Sequence, residues 1–171
     1  VYKRQLFVET GSRAEVSVSH VLAGTEPPLH SLCGSDDRVA SIDNRALRTL
    51  NASGTSACTG WLASADDCFL SAGHCFPEWG SVAEVNVPPS LPSGALQHPP
   101  VEDQFPIVGE TVAYDASGLG SDWAVGKLAL NSAGASASAL HGFYAPSFDA
   151  PPNGAMLDIV GYGIDDGADN Q

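Results

Sequence analysis

His74 is the residue whose type and surroundings first indicate chemistry. It lies in the segment CFLSAGHCF (residues 68–76), at the end of an apolar, small-residue run and directly before Cys75. An imidazole here could be a buried histidine with satisfied hydrogen bonds, half of a Cys/His metal site, or a general base. Zinc sites usually pair their ligands at C-x2-4-C or H-x3-5-H spacing, and no further His or Cys is suitably spaced. The sequence therefore predicts no metal site and leaves the other two interpretations open.

The elements that must position this histidine are predicted to be short β-strands. From residue 57 onward, short apolar stretches alternate with loops rich in Pro, Gly, Ser and Ala, and no window keeps a helical period over three turns. Residues 131–142 could form a short helix, although their glycine and serines disfavour it. The predicted strands cover residues 14–22, 57–63, 68–72, 82–87, 106–114, 122–130 and 155–162. Many short strands at steady spacing indicate an all-β barrel or sandwich.

Three segments of the sequence carry a family resemblance. SACTGWLASADDCFLSAGHC (56–75) resembles the histidine region of the chymotrypsin-fold serine proteases. Its CTGWL, preceded by CGSDDRVAS (33–41), is closer to bacterial glutamyl endopeptidases and their trypsin-like relatives. SDWAVGKLAL (121–130) is similar to the family's aspartate strand, and LDIVGYG (157–163) to the strand that opens its second barrel. The resemblance covers about residues 33–163.

The resemblance implies a fold and a division of the chain. The fold is an all-β, chymotrypsin-like double β-barrel, with the first barrel complete and the second only begun in this chain. Residues 33–130 would form the first barrel, and residues 131–171 a linker and the start of the second. Residues 1–32 precede the resemblance and are interpreted as an N-terminal extension or a propeptide-like segment.

The resemblance also implies roles for two residues. His74 would be the general base and acid, which takes a proton from a serine and later gives it to the leaving amine. Asp122 would be the carboxylate that fixes the tautomer of the ring and stabilises the imidazolium. Because Asp122 begins an apolar strand pattern, its carboxylate could lie partly buried beside the ring. No metal or organic cofactor is implied.

Four cysteines allow three disulfide pairings. An even number without zinc spacing favours an oxidising, extracellular compartment, where the sequon at Asn51 would be a weak candidate for glycosylation. The resemblance implies a Cys58–Cys75 disulfide that ties the histidine turn to the preceding strand. By elimination Cys33 and Cys68 would then pair, or Cys33 would reach a cysteine outside this chain.

The family's nucleophile has no counterpart in these 171 residues. In the family, a Gly-Asp/Asn-Ser-Gly segment follows the VGYG strand, and its amides form part of the oxyanion hole. Neither that segment nor a G-x-S-x-G motif occurs here. The chain begins at Val1 without an initiating Met and ends in the turn-like GIDDGADNQ, so we expect a processed chain or a fragment. A companion C-terminal chain or segment would then complete the second barrel and cover its strand edges.

Two functions are compatible with these observations. The first is a secreted serine endopeptidase that hydrolyses peptide bonds through an acyl-enzyme, with the serine on a missing or separate segment. The second is a catalytically inactive homologue that acts as an extracellular protein-binding or structural module. A nucleophile motif beyond residue 171 would distinguish the first from the second.

The charge of the chain excludes other classes of partner. The net charge is −13, and residues 49–171 hold fourteen acidic side chains against one basic side chain, Lys127. Such a surface repels phosphate backbones and anionic lipids, so nucleic acids and membrane surfaces are not expected partners. No segment approaches the ~20 apolar residues of a membrane span. The partners we expect are a protein or peptide substrate and the companion segment.

Overall fold

The structure, a computed structural model, describes residues 2–7, 39–54, 57–76, 79–91, 93, 95–118, 120–147 and 149–162. These residues are mostly β-structure, as predicted, with one short helix, α1 (Ala137–His141). The strands are β1 (Tyr2–Phe7), β2 (Val39–Ala40), β3 (Ala46–Asn51), β4 (Ala57–Leu62), β5 (Cys68–Ser71), β6 (Trp79–Glu84), β7 (Gln104–Pro106), β8 (Ala113–Gly118), β9 (Ser121–Lys127) and β10 (Met156–Gly161). No helix in the described part of the chain has the length and hydrophobicity that a membrane span requires.

The main sheet is antiparallel and has seven strands in the order β7-β6-β3-β4-β5-β9-β8. Beyond β7, the amide of Val108 donates to the carbonyl of Lys127 at 2.9 Å, and the amide of Ala129 donates to the carbonyl of Pro106 at 2.8 Å. These bonds bring the end of β7 against the end of β9, so the sheet curls into a half-barrel. The full chymotrypsin-like double barrel stays a prediction.

The second sheet has three strands in the order β10-β1-β2. Strand β1 pairs antiparallel with β10, from Tyr2 opposite Gly161 to Phe7 opposite Met156. The sequence pattern did not indicate β1. The predicted strand at residues 14–22 lies outside the described residues.

The predicted strand over residues 106–114 is not continuous: residue 106 ends β7, residues 113–114 begin β8, and the middle is not a strand. The chain leaves β7 after Pro106, forms a 3₁₀ turn at Gly109–Thr111, and re-enters the sheet only at β8. The hydroxyl of Thr111 donates to the carbonyl of Val108 at 2.7 Å, which closes the turn locally. A local side-chain hydrogen bond of this kind competes with the sheet ladder and interrupts an apolar alternation that otherwise suits a strand.

The apolar core lies inside the curl of the main sheet. Phe69 and Phe105 are fully buried there, and the ring of Phe69 lies 6.0 Å from that of Phe76. Cys75 belongs to the same cluster. Cys75, which directly follows His74, is therefore part of the core. Its burial fixes the turn that contains His74 against the core.

The segment after the main sheet is held on the barrel by Tyr144. Its amide donates to the carbonyl of Leu62 at 2.9 Å, and its hydroxyl donates to Asp43 at 2.8 Å. The Arg45 guanidinium lies 4.1 Å from the centre of the tyrosine ring and bonds the same carboxylate. The hydrogen bond from Arg45 lowers the pKa of Asp43 to about 2, whereas burial raises the pKa of Tyr144 to about 12. Asp43 is therefore an anion at neutral pH and Tyr144 a neutral donor to it.

Candidate functional site

His74 lies in a 3₁₀ turn, Gly73–Cys75, that follows β5. The amide of Cys75 donates to the carbonyl of Ala72 at 3.2 Å, and the amide of Phe76 donates to that of Gly73 at 2.9 Å. Gly73 and Cys75 are buried, but the side chain of His74 is 56% exposed. The buried-histidine interpretation is therefore wrong. The residues on both sides of His74 are thus buried, whereas its imidazole lies at the surface of the protein.

Asp122, at the start of β9, is the partner of this imidazole. Its Oδ2 lies 2.7 Å from Nδ1 of His74, and its Oδ1 accepts the His74 amide at 2.8 Å. The nearby Gly73 amide also helps to lower the pKa of this carboxyl. Strands β5 and β9 pair with Ser71 opposite Ala124, and this pairing brings together two residues that lie 48 positions apart. We refer to His74 and Asp122 as the dyad.

The electrostatics keep Asp122 ionised. Burial raises the pKa of its carboxyl, but the hydrogen bonds from the ring and amide of His74 outweigh that effect, and the pKa lies below its ordinary value. An ionised carboxylate can only accept hydrogen bonds, so Nδ1 of His74 carries the proton. In the neutral ring the lone pair then belongs to Nε2. The dyad is thus an oriented imidazole base with an exposed side chain.

The disulfide predicted from the resemblance, Cys58–Cys75, is confirmed. It joins β4 to the histidine turn, with the two Cα atoms 6.3 Å apart. The sulfurs of these cysteines and a ring nitrogen of His74 lie within 4.8 Å of one another, a spacing that would suit a metal ion. Metals bind cysteine as the thiolate, and the disulfide leaves neither sulfur in that form. The sulfurs therefore hold the turn in place rather than offering ligands.

Loss of this disulfide is expected to destabilise the fold. The bond closes a loop with a sequence separation of 17, and replacing both Cys58 and Cys75 by serine should lower the free energy of unfolding by about 3 kcal/mol. Urea denaturation followed by tryptophan fluorescence would measure it. Ala52→Ser is the control, because it introduces a serine at an exposed position in the turn after β3 and removes no cysteine. An unchanged midpoint in the double variant would show that the bond does not support the turn.

Two further predicted site features concern Cys68 and Asn51. Cys68 is half-buried at the start of β5, and its predicted partner Cys33 lies outside the described residues, so that pairing stays a prediction. Asn51 ends β3 and is half-buried, while Ala52 and Ser53 are exposed in the following turn. The hydroxyl of Ser53 donates to Oδ1 of Asn51 at 3.0 Å. Glycosylation of Asn51 also stays a prediction.

Sequence reasoning missed a buried polar cluster that joins strands β3 and β6. Nε and Nη2 of Arg48 donate to Oε2 of Glu84 at 3.0 and 2.6 Å, and both side chains are at most 1% exposed. Nδ1 of His98 lies 2.9 Å from the other carboxylate oxygen of Glu84. Arg48 also donates to the carbonyl of Gln97 at 2.6 Å. The cluster thus fixes the loop after β6 to the middle of the main sheet.

No protein-family model, curated protein or solved structure matches this chain. The geometry of the dyad and the chemistry of its side chains are therefore the basis for a function.

Proposed function

We propose that this chain supplies the general base and the orienting carboxylate of a secreted serine endopeptidase. His74 is the base and acid, Asp122 orients it, and the nucleophilic serine belongs to a segment outside these 171 residues. One observation carries the proposal: a single carboxylate binds both the ring Nδ1 and the main-chain amide of His74, at 2.7 and 2.8 Å. That contact fixes both the tautomer and the direction of the ring.

The arrangement suits acyl transfer. As the serine Oγ attacks the carbonyl carbon of the peptide, Nε2 of His74 takes the hydroxyl proton, and the carbonyl π electrons move onto oxygen. The imidazolium is stabilised by the Asp122 carboxylate. It then gives the proton to the leaving amine as the C–N bond breaks. Water attacks the acyl-enzyme with the same histidine as base, and serine leaves with the proton.

The Cys58–Cys75 disulfide supports the location in this proposal. Disulfides form and persist in oxidising compartments, so the bond is compatible with an extracellular protein. The protein or peptide substrate and a companion segment that carries the serine are the partners that the proposal requires.

Labelling with a fluorophosphonate probe tests the function on the native protein with all its segments present. We expect one serine to be labelled, and we expect His74→Ala to abolish the labelling, because the serine would lose its base. His98→Gln is the matched control: His98 is a second partly exposed histidine beside a carboxylate, and glutamine retains a donor for Glu84. Intact-mass analysis would show which chain carries the label. A folded, complete protein without label would instead indicate a binding module.

A further inference from the structure

Gly73 is packed against main-chain atoms so closely that it has no room for a side chain. A Cβ at this position would lie 1.8 Å from the carbonyl oxygen of Asp115 and 2.9 Å from that of Trp123. Real Cβ atoms essentially never come within 3.0 Å of such neighbours. Both neighbours are backbone atoms of paired strands, β8 and β9, and Asp115 lies directly opposite Trp123 in that pair. They cannot rotate aside as the end of a side chain could.

The same glycine directly precedes the histidine of the dyad. The next residue is His74, whose amide and ring both bind the Asp122 carboxylate, at 2.8 and 2.7 Å. A shift of Gly73 away from β8 therefore moves the amide of His74, which donates to that carboxylate. The position of the imidazole depends on how closely the turn approaches the hairpin.

We propose that Gly73 is a positioning residue for the dyad and that the β8–β9 hairpin holds the histidine turn through this backbone contact. The disulfide supports the turn from β4 and Asp122 supports it from β9. The contact at Gly73 adds support from β8, the strand at the edge of the main sheet. The effect on peptide hydrolysis rests on the proposed function, whereas the effect on the dyad geometry does not.

Alanine at position 73 must move the turn or the hairpin by about 1 Å, and misplacing a catalytic group by about 1 Å can cost about 100-fold in rate. For Gly73→Ala in the complete protein we therefore expect kcat to fall at least 100-fold, with KM nearly unchanged. Proton NMR gives a readout independent of activity. The short 2.7 Å contact between Nδ1 of His74 and Oδ2 of Asp122 should give the wild type a downfield Nδ1 proton signal, and we expect this signal to disappear or broaden in Gly73→Ala.

Two other glycines provide controls. A Cβ at Gly126, on β9, would meet a ring carbon of Phe69 at 2.8 Å, so Gly126→Ala introduces a milder clash, with a side chain, on the strand that carries Asp122. A Cβ at Gly109 would meet nothing within 4 Å. We expect Gly126→Ala to lower stability but keep the downfield signal in the folded fraction, and Gly109→Ala to leave both unchanged. A folded Gly73→Ala protein with the wild-type signal would overturn the proposal.

A second pair of variants decides the matter if Gly73→Ala does not fold. The Asp115 side chain accepts the Ser117 amide at 2.9 Å and also accepts the Ser117 hydroxyl, which holds the end of β8. Asp115→Ala removes these bonds, whereas Asp115→Asn keeps an acceptor and removes only the charge. We expect faster hydrogen exchange of the β8 amides and a broadened Nδ1 signal in the alanine variant alone. Loosened β8 amides beside an unchanged Nδ1 signal would refute the support by the hairpin.

The readouts also separate this inference from the proposed function. If the native protein takes no fluorophosphonate label but Gly73→Ala still removes the Nδ1 signal, the function fails and the positioning role stands. If the wild type is labelled and Gly73→Ala retains both label and signal, the function stands and the positioning role fails.

Discussion

Under the proposed function, replacing Asp122 by asparagine in the complete protein is expected to lower kcat by about 10⁴-fold, the size of effect expected when a triad carboxylate loses its charge. Asparagine keeps the shape and can still accept the His74 amide, which Oδ1 of Asp122 accepts at 2.8 Å. Its NH₂ group would donate toward Nδ1, however, and so place the ring proton on Nε2. The ring could then no longer accept a proton from serine. Steady-state hydrolysis of a peptide substrate by wild type and variant measures the ratio.

The two controls for this prediction concern charge and fold. Asp66→Asn removes one carboxylate from an exposed turn that does not contact the dyad, and its kcat should equal that of the wild type. The urea midpoint of Asp122→Asn should stay close to the wild-type value, which would show that the rate falls through the ring tautomer. A kcat within tenfold of the wild type for Asp122→Asn would contradict the role of Asp122 as orienting carboxylate.

The largest effect on stability is expected from Glu84→Gln. Arg48 is completely buried, and the Glu84 carboxylate bonds its Nε and Nη2 at 3.0 and 2.6 Å. Glutamine keeps the volume but leaves the guanidinium charge without a counter-charge inside the barrel. Breaking a buried pair in this way lowers the free energy of unfolding by about 3–5 kcal/mol. The free energy of unfolding of an ordinary domain is about 5–15 kcal/mol, so the loss is a large part of it. Chemical denaturation at neutral pH would measure the loss.

A matched control and a rescue sharpen this measurement. Glu110→Gln makes the same chemical change on an exposed glutamate in the turn Gly109–Thr111, and we expect a change within about 0.5 kcal/mol. Combining Glu84→Gln with Arg48→Met removes both charges, and the double variant should recover much of the stability. A loss below about 1 kcal/mol in Glu84→Gln alone would show that solvent or other groups balance the charge of Arg48.

Local patterns were sufficient for part of this fold. Strands β4, β5 and β9 occur where apolar alternation and flanking turn residues predict them, because both signals depend on neighbours along the chain. Strand β3 gave no such signal. Its fully buried Arg48 reads as a surface residue until its partner Glu84, 36 positions away, is known. Strands β1 and β10 pair although they lie about 150 residues apart, and the sequence of neither strand indicates its partner.

The sequence by itself determined which groups could do chemistry. A chemical motif is defined by the types of its residues and their order along the chain. The sequence alone therefore indicates His74, Asp122, Cys58 and Cys75. Tertiary structure alone decided that Asp122 Oδ2 lies 2.7 Å from the ring of His74, and that Gly73 lies against the carbonyl of Asp115. The physical reason is that both contacts span more than forty residues and arise from the pairing of β5 with β9 and of β9 with β8. Strand register sets such distances, and register is a property of the folded sheet as a whole.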